Sequence, residues 1–168
     1  MRIITIALIT VAFAVSVLSQ TSLKVGAQAP PFSGVALDGT IYKLDDLRGK
    51  TVVLTFWSSR CEICRSELPK LNQVVKGFEG KNVVFLSLTM ENESIVEAYI
   101  KTNRVEARIL PNSFGVVLQY ADRDRNGNLD MGFPSFFVVD NAGRINYRTG
   151  GYDKTGTLST AINRLIAK

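Results

Sequence analysis

The chain has 168 residues, 46% hydrophobic and 21% charged, with a net charge of +5. That balance suits one globular domain and excludes a disordered chain, a collagen and a multi-pass membrane protein. The charge is too diffuse to indicate a nucleic-acid partner. Histidine is absent, which excludes Ser-His-Asp and Cys-His catalysis, histidine-held zinc or copper, and histidine-ligated haem. The two cysteines, Cys61 and Cys64, are too few for a four-cysteine zinc site and leave none for a separate structural disulfide. The chemistry of the chain is expected in that pair.

Residues 1–22 read as an address. Arg2 precedes an almost wholly apolar run from Ile3 to Leu18, and Val17-Leu18-Ser19 is a passable cleavage site. The run is slightly short of the ~20 residues of a spanning helix. A secretory signal peptide is expected, with an uncleaved membrane anchor as the alternative and a buried core helix as a third reading. No cysteine follows the run, so lipoprotein processing is excluded. Signal and anchor both place residues 23–168, the expected single domain, outside the cytoplasm. A dithiol there must be kept reduced or serve as an oxidant.

Asp38-Gly39 sits at the centre of a predicted hairpin over 35–42. Asp45 to Gly49 is a turn or a short helix. Thr51 to Trp57 is a continuous apolar run, as in a central strand covered on both faces. Leu68, Leu71, Val74, Val75 and Phe78 fall at helical spacing, and Gly80 stops that helix. Val83 to Thr89 is a second buried strand, Glu93 to Thr102 a helix, Ala107 to Leu110 a short strand and Ser113 to Tyr120 a helix. Ser135 to Val139 and Arg144 to Arg148 pair about the turn Asp140-Asn141-Ala142-Gly143. Lys154 to Ala167 is the closing helix. This order predicts a three-layer α/β fold: a mixed central sheet, helices on both faces and an N-terminal β-hairpin.

Trp57 to Arg65 read W-S-S-R-C-E-I-C-R. A C-x-x-C that follows a buried strand and opens a helix is the context of a redox motif. Unpaired N–H groups and the helix dipole favour a thiolate at Cys61. Arg60 and Arg65 add positive field, and Glu62 partly offsets it. Cys61 is the expected nucleophile, and Cys64, one turn on, the resolving thiol. The plainer alternative is a structural cysteine pair or half of a metal site shared between chains.

The chain resembles the TlpA/ResA branch of the thioredoxin-like superfamily. The resemblance runs from Val25 to the end. It rests on Val25 to Phe32, Leu47-Arg48-Gly49-Lys50, Phe56-Trp57, Cys61-x-x-Cys64-Arg65-x-Glu67-x-Pro69, and Gly132-Phe133-Pro134 with the following strand and Gly143. It implies a thioredoxin-like domain over 23–168. It also implies that Pro134 is cis and faces the disulfide, leaving Phe133 backbone groups to take an extended substrate as an added strand. Glu67 matches the family's active-site acid, expected to be buried with a raised pKa and to exchange protons with Cys64. Thr55 stands where thioredoxins proper carry a buried aspartate. Trp57 matches the aromatic that packs under the site; with Arg60 and Phe133 it is a candidate substrate contact. Departures are Glu62-Ile63 between the cysteines, Arg60 in place of a common tryptophan, and the bulk of Phe133. They put the direction of electron flow in doubt and leave the reacting groups intact.

Asp122, Asp124, Asn126, Gly127 and Asp130 fit positions of a calcium loop, but Phe133 stands where the bidentate glutamate belongs. The plainer reading is a polar turn. The expected function is extracytoplasmic thiol-disulfide exchange on protein substrates, with Cys61–Cys64 as the redox-active disulfide and no other cofactor, calcium aside. The resemblance favours reduction of protein disulfides, recharged by a membrane-bound thiol donor, with cytochrome c maturation as one target. Alternatives are a thiol peroxidase of the peroxiredoxin type, for which Thr55 and Arg60 are present, and a non-enzymatic thiolate metal module.

Overall fold

The computed structural model describes residues 23–167. The expected signal or anchor lies outside them. Among the described residues no helix is long and apolar enough to cross a membrane.

Strand β1 (Ser33–Val35) pairs antiparallel with β2 (Ile41–Lys43), and Gly39, with φ at +80°, makes the predicted turn. A 3-10 turn over Leu44–Leu47 leads into β3 (Thr51–Phe56), every residue of which is buried. Then follow α1 (Glu62–Gly77), β4 (Val83–Leu88), α2 (Glu93–Ile100), β5 (Arg108–Leu110) and α3 (Phe114–Tyr120). A two-stranded ribbon of β6 (Asp122–Arg123) and β7 (Leu129–Asp130) precedes β8 (Ser135–Val139), β9 (Ile145–Gly150) and α4 (Gly156–Ile166).

The main sheet runs β5-β4-β3-β8-β9. Pairs β3–β4 and β4–β5 are parallel, β3–β8 and β8–β9 antiparallel. Strand alternation divides the side chains between two cores. Leu54, Phe56, Leu86, Leu88, Leu110 and Phe137 pack with Val116, Val117 and Tyr120 of α3 and with Ala29 and Phe32 of the N-terminal segment. Val53, Phe85, Phe136 and Val138 meet Leu71, Val74 and Phe78 of α1 and Leu158 and Ile162 of α4 on the opposite face. The result is the expected three-layer arrangement. The predicted elements all form. The β6–β7 ribbon is the addition, at the place read as a polar turn.

Candidate active site

The site lies where β3 hands over to α1. Leaving the C-terminal edge of β3, the chain turns through Ser58, Ser59 and Arg60 before Cys61 caps α1. The Cys64 N–H donates to Cys61 Sγ at 3.0 Å, and the Arg65 N–H to the Cys61 carbonyl at 3.1 Å. The nucleophile candidate is thus the N-cap of a 16-residue helix, where partial positive charge concentrates. One turn separates the cysteines, which are joined as a disulfide with Cα atoms 5.2 Å apart.

Pro134 immediately precedes β8, which runs antiparallel beside β3. The Phe133–Pro134 bond is cis, as the resemblance implied. The Phe133 carbonyl oxygen lies 3.6 Å from Cys61 Sγ. Phe133 is partly buried beside Cys61 and Trp57. Trp57 is only 6% exposed and packs on Tyr99 with ring centroids 5.2 Å apart. It forms the floor of the site, and a docking surface would be left to exposed Arg60 and to Phe133. Ile63, between the cysteines, is 41% exposed.

Behind the disulfide is a cavity of about 20 Å³, with room for about one water. Cys64, Glu67, Thr55, Trp57, Tyr99 and Pro134 are among its lining residues. Glu67 is 2% exposed. Thr155 Oγ1 donates to its Oε2 at 2.6 Å, and Lys70 Nζ donates to its Oε1 at 3.0 Å. Burial alone would push this carboxyl up. The hydrogen bonds from Thr155, Lys70 and the backbone of Asp153 and Thr155 outweigh it and hold the group below the ordinary glutamate value. The expectation of a raised pKa is therefore corrected: buried as predicted, the acid is supplied with enough donors to stay ionised.

Glu91 was not singled out in the sequence. Its carboxylate accepts from the Ser58 hydroxyl at 2.8 Å, from the Ser59 hydroxyl at 2.8 Å and from the Ser59 N–H at 3.0 Å. The Thr89 hydroxyl adds a bond at 3.2 Å. These bonds tie the loop before Cys61 to the end of β4. Burial raises the Glu91 pKa, but the donors of Ser59, Ser58 and Thr89 prevail and lower it. A lone glutamate in a loop carries no motif that would have found it.

The calcium reading is overturned by where the loop's donors point. Asp122 pairs with Arg148 at 2.6 Å. Asp124 accepts the N–H groups of Asn126 and Asn128 and the Asn128 side-chain amide. Asp130 stands opposite Asp122 in the ribbon, and Gly127 takes φ +81° at its tip. Among the described residues no group of three or more His, Cys, Asp or Glu side chains is placed to hold a metal ion. The loop is the polar turn of the plainer reading.

The AhpC/TSA family model matches residues 25–148. The thioredoxin-like protein YneN of Bacillus subtilis is 31% identical over 129 residues, 75% of this chain and 71% of that protein. Thiol-disulfide oxidoreductase ResA of Geobacillus thermodenitrificans is 28% identical over 127 residues, 75% of this chain and 69% of that protein. A crystal structure of a thiol:disulfide interchange protein of the thioredoxin family from Chlorobium tepidum superposes with a TM-score of 0.70. It is 25% identical and covers 84% of this chain and 97% of that one. With a cis-proline against the C-x-x-C disulfide and a family match across both, the chain belongs to the AhpC/TSA family, as a thiol-disulfide oxidoreductase of the ResA-like kind.

Proposed function

We propose that this protein reduces disulfides of protein substrates outside the cytoplasm, through the Cys61–Cys64 dithiol. The observation that carries the reading is Cys61 at the α1 N-cap, within 3.6 Å of the Phe133 carbonyl. The Cys61 thiolate attacks one sulfur of the substrate disulfide. A Cys61–substrate disulfide forms, and the first substrate thiolate leaves and takes a proton from water. Cys64 then loses its proton to the Glu67 carboxylate and attacks Cys61 Sγ. The Cys61–Cys64 bond closes, and the second substrate thiolate leaves and takes up the proton held by Glu67. Two electrons have passed from the dithiol to the substrate, with one proton supplied by water and one by Cys64 through Glu67. The backbone of Phe133 and Pro134 holds the substrate as an extended strand, with Arg60 and the Phe133 ring at the rim.

The apolar run in residues 1–22 supports export or anchoring of the 23–168 domain. A membrane-bound thiol donor would then recharge the pair, and cysteines awaiting haem attachment in cytochrome c maturation are a fitting substrate class. The peroxidase alternative is not favoured. Thr55 lines the buried cavity shared with Cys64, and Arg60 is exposed. Measuring the reduction potential of the full chain tests the direction. A value near −270 mV, about that of thioredoxin, supports the reductase. A value near −120 mV, about that of DsbA, makes the protein an oxidant. A pair that does not cycle removes the reading.

A further inference from the structure

Lys70 is not among the reacting groups, yet it reaches the buried acid. Its Nζ lies 3.0 Å from Glu67 Oε1 and 2.8 Å from Asp153 Oδ1. It also stands 5.5 Å from the centroid of the Tyr152 ring. The Lys70 side chain is 44% exposed, whereas the Glu67 side chain it meets is 2% exposed. Without a cation, a carboxylate this buried, held only by the Thr155 hydroxyl and the backbone of Asp153 and Thr155, gains proton affinity. Lys70 brings a charge from the solvent side of α1 to its rim.

We infer that Lys70 is a positioning residue of the dithiol site, holding Glu67 as an ionised, fixed base across the cavity from Cys64. The inference rests on the reading of Cys64 as the resolving thiol. Thr155 orients one carboxylate oxygen and Lys70 the other, so Glu67 meets the Cys64 proton already deprotonated. Asp153, on the loop between β9 and α4, holds the ammonium in place. The other groups around Glu67 bring no competing full charge into the cavity. They are the Thr55 and Ser87 hydroxyls from β3 and β4, Trp57, and Tyr99 from α2, whose phenol burial keeps neutral. Lys154 stands beyond Asp153 and acts on that residue. Removing the Lys70 charge takes away the cation and one donor from the carboxylate, and the carboxyl takes up a proton at higher pH. The base is then lost at pH values where it now works.

The full chain, labelled with ¹³C at glutamate side chains, is titrated by NMR in the oxidised state. Glu67→Gln assigns the signal. Lys70→Met is expected to raise the proton affinity of Glu67 by about 10-fold to 1,000-fold, and Lys70→Arg to leave it near wild type. In stopped flow with glutathione disulfide, the closure phase of Lys70→Met should shift its pH profile in the same direction, while the preceding attack by Cys61 keeps its own. An unchanged Glu67 titration in Lys70→Met overturns the inference, as does a Lys70→Arg chain that behaves like Lys70→Met. A wild-type chain with no closure phase overturns instead the assignment of Cys64, whatever Lys70 does.

Discussion

Cys61 caps the helix and is half-buried, whereas Cys64, in its first turn, is buried. The Cys64 thiol opens onto the buried cavity that Glu67 also lines. Replacing Cys64 with Ser should therefore leave attack intact and trap the substrate on Cys61 as a mixed disulfide, visible by non-reducing electrophoresis and mass spectrometry. Replacing Cys61 with Ser should give no such adduct. Glu67→Gln keeps the shape and one acceptor but loses the base, and should slow closure by roughly 100-fold, measured as the second phase of reaction with a model disulfide. Both cysteines and Glu67 are legible in the sequence because they share one short motif. Lys70 was in reach of the same reading, since residues three apart meet on a helix. Thr155 was not, because its hydroxyl arrives from 88 positions away.

Elements set the site by where they end. The loop before Cys61 has no regular structure of its own, and Glu91 holds it to the end of β4. Glu91→Ala leaves the Ser58 and Ser59 donors without their acceptor and should cost about 1–3 kcal/mol in urea unfolding. The loop would also loosen, lowering the rate of Cys61 attack. On the other side, β9 presses on the proline loop at Gly150. A Cβ there would meet the Pro134 carbonyl oxygen at 3.0 Å and Ser135 Oγ at 3.1 Å. Gly150→Ala should push the Pro134 backbone by a few tenths of an ångström, raising KM for a protein substrate with kcat little changed. The elements themselves were legible from hydrophobic period, because each buries a face set by its own repeat. The β6–β7 ribbon was not, since two-residue strands carry no period.

Taken together, the sheet holds two cores apart and carries the site at the C-terminal end of its central strand. Phe56, Tyr120 and Phe137 pack with centroids 5.2 to 5.8 Å apart, and each is essentially inaccessible. Phe137→Ala should cost about 3–5 kcal/mol, read from the urea midpoint. The acid limb of stability follows from the carboxylates. Glu67 and Glu91 are held below their ordinary value in the folded state. The stability they contribute is complete above the unfolded glutamate value of about 4.3 and is lost as pH falls through the lower folded values. The urea midpoint should therefore drop on acidification through that window, and less steeply in Glu67→Gln.

The sequence by itself determined the three-layer α/β fold and the redox pair, and through the family resemblance it implied the cis-proline and the burial of Glu67. The fold and the redox pair follow from local pattern or from a motif read in one stretch. Only the tertiary structure decided the charge state of Glu67, the grip of Glu91 on the active-site loop, and the turning of the Asp122 and Asp124 side chains away from a common ion. Glu67, Glu91 and Asp122 each depend on a partner brought from a distant part of the chain, and Asp124 on donors within its own turn. A one-dimensional pattern records which side chains can be buried, but a buried charge is settled by which partners the fold delivers to it.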